Sequence, residues 1–244
     1  MEDSTNRAAR LERGDQEGPA CQDRGGFRKH TGPAPTSGAL LAKRNSGVLL
    51  DLGAKRESAL PAGWFGPCAK PLEIDFGCHR GAFLVGMAQL HPGVNFLGIE
   101  RQPERVAKCL ARIARLGLAN AFAVQGTGEQ GLEPLPDSCC AVFHLYFPDP
   151  WPKRRHAVRR VFQQGFLGEV RRILAPGGTL RLMTDNEPYF AGMRELTRGG
   201  WAGREWDDGR EVVPTAFESV FLKLGKKPFR ACLAPVQEST AGSP

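Results

Sequence analysis

The chain has 244 residues, 41% of them apolar and 24% charged, which is ordinary material for one or two folded domains. Lys and Arg number 33 against 26 Asp and Glu, a formal charge of +7 that favours anionic partners such as nucleic acid. No apolar run approaches the ~20 residues of a bilayer-spanning helix, and the N-terminus lacks the apolar core of a signal peptide.

The expectation is therefore a cytoplasmic protein without membrane contact. Seven cysteines, at 21, 68, 78, 109, 139, 140 and 232, show no C-x-x-C and no zinc-type spacing. Reduced thiols and no metal are expected, with the oligomeric state open between monomer and homodimer.

Residues 1–58 are rich in charge and in Gly, Pro, Ser and Thr and poor in large apolar side chains. Such a segment cannot bury enough surface to offset ordering entropy, and it is predicted to be a mostly disordered arm. Residues 235–244 are predicted to be a disordered tail, leaving 59–234 as the folded domain. Within it, short apolar runs alternate with amphipathic segments, the pattern of a parallel sheet covered by helices.

The first strand is predicted at 72–76. After the turn Asp75-Phe-Gly-Cys-His-Arg-Gly81, apolar residues at helical spacing run to His91-Pro92. A second strand follows at 95–99, then a helix opened by Pro103 and ended near Gly117, with Val106, Leu110 and Ile113 as its apolar stripe. Strands are predicted at 121–125, 141–146 and 179–183, and helices at 163–174 and 188–196. Two closing strands are placed at 201–206 and 229–233. The expected fold is α/β, a Rossmann-like, doubly wound and mostly parallel sheet.

In open sheets of this kind ligands lie beyond the carboxyl ends of the strands. Gly77 and Gly81 permit positive backbone dihedrals and close ligand approach, with helix–strand packing alone as the alternative, and Asp75 offers an acceptor. Glu100 ends the second strand about 25 positions on, the separation at which an acid grips ribose hydroxyls. Together they point to an adenosine-containing cofactor. A dinucleotide site wants G-x-G-x-x-G and a pyrophosphate, whereas here His79 takes the middle glycine position and an acid opens the turn. S-adenosylmethionine, with cationic ammonium and sulfonium groups and no phosphate, fits better.

The most informative segment is Phe147-Pro-Asp-Pro-Trp-Pro-Lys-Arg-Arg-His156. Its three prolines pre-set the backbone around Asp149. Lys153, Arg154, Arg155, Arg159 and Arg160, beside His156 and Trp151, form a cationic and aromatic strip suited to phosphates and bases. A solvated basic helix start is the alternative. Asp185, after the 179–183 strand, is a candidate for base contact and for capping the helix that follows.

These segments, with Asn95-Phe-Leu-Gly-Ile-Glu100, Thr184-Asp185, Tyr189 and Thr215-Ala-Phe-Glu218, resemble the bacterial tRNA (guanine-N7-)-methyltransferase family over roughly 70–233. The F-P-D-P-W-x-K-x-R-H string is far more specific than the glycine turn. The resemblance implies a seven-stranded class I methyltransferase fold and S-adenosylmethionine as methyl donor. It implies as acceptor the guanine at position 46 of the tRNA variable loop.

Residue by residue, it implies Asp149 as the active-site carboxylate and Asp75, Gly77, Gly81, Glu100, Thr127 and Asp149 around the cofactor. It implies Lys153, Asp185, Thr215, Ala216, Phe217 and Glu218 as substrate-binding, and Arg155, His156, Arg159 and Arg160 as RNA contacts. Three positions depart from the family pattern: His79 for a glycine, Thr127 for an acid near the adenine, and Ala216 for the lysine of T-K-F-E. Two rivals remain at this stage: a methyltransferase acting on a protein or small molecule, and an RNA-binding relative that has lost turnover.

Overall fold

A computed structural model describes residues 60–61, 63–65, 69–207 and 209–236. The predicted arm at 1–58 and all but the first two residues of the predicted tail lie outside them. In chain order the elements are β1 (Leu72–Phe76), α1 (Ala82–Leu90), β2 (Asn95–Glu100), α2 (Pro103–Arg115), β3 (Ala121–Gln125), β4 (Cys140–Tyr146), α3 (Gln164–Ile173), β5 (Leu174–Thr184), α4 (Glu187–Leu196), β6 (Trp201–Arg204), α5 (Ala216–Lys223) and β7 (Phe229–Pro235). Short 3-10 helices occupy Glu129–Gly131 and Arg154–Arg159.

The seven strands lie in the order β3-β2-β1-β4-β5-β7-β6. Strand β7 is antiparallel to both neighbours and the other pairings are parallel. The winding direction reverses between β1 and β4, which makes their carboxyl ends the switch point where ligands bind in such sheets. Pairing of Asp75 with Gly98 and with His144 brings the ends of β1, β2 and β4 side by side.

Period-2 alternation divides β1 between two cores. Leu72, Ile74 and Phe76 join Phe143, Phe166 and Leu182 on one face, while α1 and α2 pack Leu84, Met87, Val106 and Ile113 on the other. Glu73 and Asp75 therefore point into the second face and are both buried. Glu73 is satisfied there: His144 Nε2 lies 2.8 Å from one carboxylate oxygen and Arg210 2.6 Å from the other. Burial pushes the Glu73 carboxyl up, but these partners outweigh it and the net shift is down. The same pair ties the segment leading into α5 to the middle of the sheet.

Four elements differ from expectation. Strand β5 starts at Leu174 rather than 179, carrying the Ala175-Pro-Gly-Gly178 turn as an irregularity between the Cys140–Leu174 and Val142–Thr179 pairs. Strand β6 stops at Arg204 instead of 206. Strand β7 runs through Pro235, the residue expected to open the tail, and Val236 N–H still donates to the Gly200 carbonyl. Helix α5 was not expected at all. Its capping box, Thr215 with Glu218, is a readable T-x-x-E signal.

Candidate active site

One wall of the site is the turn after β1. Gly77 (φ 83°), His79 (φ 54°) and Gly81 (φ 70°) all take left-handed backbone, while the Gly77 and Cys78 N–H groups donate to the Ile99 carbonyl at 2.7 and 3.2 Å. His79 occupies a conformation that costs an L-residue on the order of 1 kcal/mol. Its N–H is paid back by Glu100 Oε2 at 3.0 Å. Glu100 Oε1 accepts from Gln102 N–H at 3.0 Å and lies 3.7 Å from Arg105. The buried acid thus fastens the β1 turn to the start of α2. Burial, then the neighbouring Arg105, lowers the His79 pKa.

Asp75 carries an unsatisfied oxygen. Burial, and then the charge of Glu100, push its pKa up to about 7, and its Oδ2 is buried without a hydrogen-bond partner. An orphaned buried acceptor is costly and calls for a donor. A ligand carrying an ammonium or sulfonium group supplies a donor or a compensating positive charge. The residues present therefore fit S-adenosylmethionine.

The facing wall follows β4. Phe147 (φ 50°) and Trp151 (φ 41°) are left-handed non-glycine residues bracketing Pro148, Asp149 and Pro150, a conformation that persists only when surroundings over-determine it. Phe147 N–H donates to the Met183 carbonyl at 2.7 Å, and its ring stacks on Phe217 and Phe221 of α5 at 5.8 Å each. Arg160 donates from Nε to the Pro150 carbonyl at 2.8 Å and from Nη2 to the Trp151 carbonyl at 3.3 Å. Its guanidinium also lies over the ring of buried Tyr189 at 5.0 Å. Arg159 stacks on Trp151 at 5.1 Å. The proline-braced loop is thus held from α4, α5 and the basic segment together.

Asp75, Glu100 and Asp149 line one cavity of about 580 Å³, within the usual range for a cofactor-sized ligand. Asp149 stands at its mouth, 3.6 Å from Arg101. Both side chains are more than half exposed, and such a pair is worth little in water. The pair is therefore a weak restraint on Asp149.

Of the expected site residues, Gly77, Thr127, Arg159, Thr215, Ala216 and Phe217 also line this cavity. The others are placed differently. Gly81 caps α1, and a Cβ there would meet Cys109 Sγ at 2.3 Å, so its role is close packing of turn on helix. Glu218 is buried, closes the α5 capping box and pairs with Arg230. Asp185 is exposed, and its alternative capping role belongs to Asn186, whose Oδ1 accepts from Tyr189 N–H at 2.9 Å. Lys153 is exposed at the start of the 154–159 helix, where Arg155 donates to His156 Nε2 at 3.3 Å. Arg160 differs most from its expected RNA-facing role, because its guanidinium is spent on the loop.

Arg101 and Phe221 went unnoticed in the sequence, as did the task of Phe147. Phe147 stood within the singled-out motif, but only its left-handed turn onto α5 reveals its task. His144 carries no signal beyond its alternation in a strand. Burial lowers its pKa more than Glu73 raises it, so the neutral ring donates from Nε2 to Glu73 and accepts the Tyr146 hydroxyl at Nδ1, 2.8 Å away.

A family model described as "Putative methyltransferase" matches residues 69–230. The chain is 30% identical over 227 residues to the tRNA (guanine-N(7)-)-methyltransferase of Cereibacter sphaeroides, which covers 88% of this chain and 92% of that protein. The protein of the same name from Sodalis glossinidius is 41% identical over 165 residues, 64% of this chain and 69% of that one. That from Geobacillus thermodenitrificans is 33% identical over 178 residues, 70% and 82% respectively. With a family model spanning most of the sheet and a relative matched nearly end to end, the chain belongs to the tRNA (guanine-N(7)-)-methyltransferase family.

Proposed function

We propose that the protein transfers a methyl group from S-adenosylmethionine to N7 of a guanine in tRNA, at the variable-loop position implied by the family resemblance. The observation that carries this reading is the shared cavity: an orphaned acid suited to a cationic cofactor and a proline-braced acid line the same cavity beside a basic strip. The strip, and the names of the relatives, support tRNA over a protein or small-molecule acceptor.

When bound, S-adenosylmethionine would supply an electrophilic methyl group to guanine N7, the carbon–sulfur electron pair staying on sulfur as the bond to N7 forms. Guanine N7 has an in-plane lone pair and no proton, so no residue needs to act as a base. The chain's contribution is positioning and charge. Asp75 would hold the cofactor's ammonium and Glu100 its ribose. Asp149 accepts from guanine N1–H and the N2 amine, which rejects adenine, and its charge offsets the cation developing on the methylated ring. Holding both partners in line supplies on the order of 7 kcal/mol. Lys153, Arg155, His156 and Arg159 hold tRNA phosphates at the rim, and Phe217 and Thr215 border the base.

The test is incubation with methyl-labelled S-adenosylmethionine and unmodified tRNA, followed by borohydride and aniline cleavage. One cut at a variable-loop guanine is expected. Label without that cut, or no label, refutes the reading.

A further inference from the structure

The basic strip at 153–160 accounts for one side of the cavity mouth, and the connection from α5 to β7 has no role yet. From Ser219 to Val236 the chain carries Lys223, Lys226, Lys227 and Arg230 and no acid. Arg230 is engaged by Glu218, while the three lysines are exposed. Large apolar side chains alternate with them in the open: Val220 is 55% exposed, Leu222 50% and Leu224 64%.

Topology fixes where this segment lies. Strand β7 is antiparallel, and its first residue, Phe229, pairs with Thr184 at the carboxyl end of β5. Residues 224–228 therefore stand at the same end of the sheet as Asp149, which follows the adjacent β4. The first turn of α5 reaches the cavity itself through Ala216, Phe217 and Val220. Cations and apolar surface thus continue outward from the mouth on the side of α5.

We propose that this connection is a second tRNA-binding lip, with Lys223, Lys226 and Lys227 holding phosphates and the exposed face of α5 covered by ribose and base surfaces. The inference rests on the tRNA-methylation reading. Charge complementarity commits it to a polyanion: three cations with no interspersed acid repel a basic surface and match a backbone carrying one charge per nucleotide. The two lips together give the cavity an RNA grip on both sides, so a single guanine between them is presented to Asp149 with its flanking phosphates held.

The test compares full-length wild type with the triple variant Lys223→Ala, Lys226→Ala, Lys227→Ala, measuring tRNA affinity from about 50 to 300 mM salt. If each lysine holds one phosphate, the log-log slope becomes shallower by about 2 and affinity at low salt falls tenfold or more. S-adenosylmethionine affinity and the melting temperature stay as in wild type, because these side chains touch neither the cavity wall nor the core. A wild type that methylates tRNA beside a variant of unchanged slope and affinity overturns the lip alone, and assigns the lysines to solvent or to another partner. A wild type that neither binds nor methylates tRNA overturns the reading beneath it as well.

Discussion

Replacing Arg160 with Gln tests whether the loop carrying Asp149 is held in place by its neighbours. The side chain donates two charge-assisted hydrogen bonds, one good at 2.8 Å and one long at 3.3 Å, and rests on Tyr189. Hydrogen bonds to charged groups are worth about 1.5–3 kcal/mol each and a partly exposed cation–π contact about 0.5–1. With the long bond discounted, roughly 2–4 kcal/mol of restraint is lost from a loop containing two left-handed residues that each store about 1–3 kcal/mol. If that loss is expressed as misplacement of Asp149, the methyl-transfer rate falls about 30- to 1000-fold.

Single-turnover methylation reads this directly, alongside cofactor affinity and the salt dependence of tRNA binding. Cofactor affinity stays within a few fold, since Asp75 and Glu100 lie on the other wall, and the salt slope stays that of wild type. Lys at this position recovers only part of the rate, because it lacks the planar fork that reaches two carbonyls and stacks on Tyr189. A variant with full rate and a slope shallower by about 0.8 would show that Arg160 faces phosphate, and the bracing argument would be wrong.

Three further outcomes follow from the same geometry. On the proposed contact Asp75 must be ionised to accept the cofactor's cation, and burial pushes its pKa up to about 7, so calorimetric affinity for S-adenosylmethionine should weaken by up to about tenfold per unit as pH falls below 7; a flat profile between pH 7 and 5.5 counts against the contact. Because the folded pKa is raised, the native state binds more protons than the unfolded one between about pH 4 and 7, and stability is lost as pH rises through that window. Asp75→Asn should therefore melt higher than wild type at pH 8 without cofactor while binding cofactor at least tenfold more weakly; a lower melting temperature contradicts the buried-charge cost. Gly81→Ala combines a left-handed backbone with a Cβ 2.3 Å from Cys109 Sγ and should cost roughly 2–5 kcal/mol in urea unfolding. Adding Cys109→Ala should return part of that, and an equal loss in the double variant would remove the packing explanation for this glycine.

Local periodicity carried most of the sheet because β1, β2 and β3 are short buried strands bounded by Gly and Pro turns, and α2 has a clean apolar stripe. It failed where local pattern and tertiary role part. The Ala175-Pro-Gly-Gly178 turn reads as a stop, yet pairing with β4 absorbs it into β5. Helix α5 leaves Phe217, Val220 and Leu222 exposed, so it has no polar face to reveal a period.

At the site, strand-end acids were legible because topology places strand ends at the switch point. The division among the cations was not. Arg155, Arg159 and Arg160 are adjacent and chemically equal in the sequence, and only the backbone path sends Arg160 inward to two carbonyls while Arg159 turns to Trp151 and the cavity. Glu218 likewise reads as a site acid until its cap and its pairing with Arg230 are seen.

The proposed role of Asp149 is to act on a guanine held against the cofactor in the cavity shared with Asp75 and Glu100. It is tested most directly by single-turnover methyl transfer to unmodified tRNA, wild type against Asp149→Ala, with both ligands saturating and each affinity measured separately. Methylation is expected to fall below detection in the variant, with cofactor affinity within a few fold of wild type. A variant that forms N7-methylguanine at the wild-type rate would contradict it.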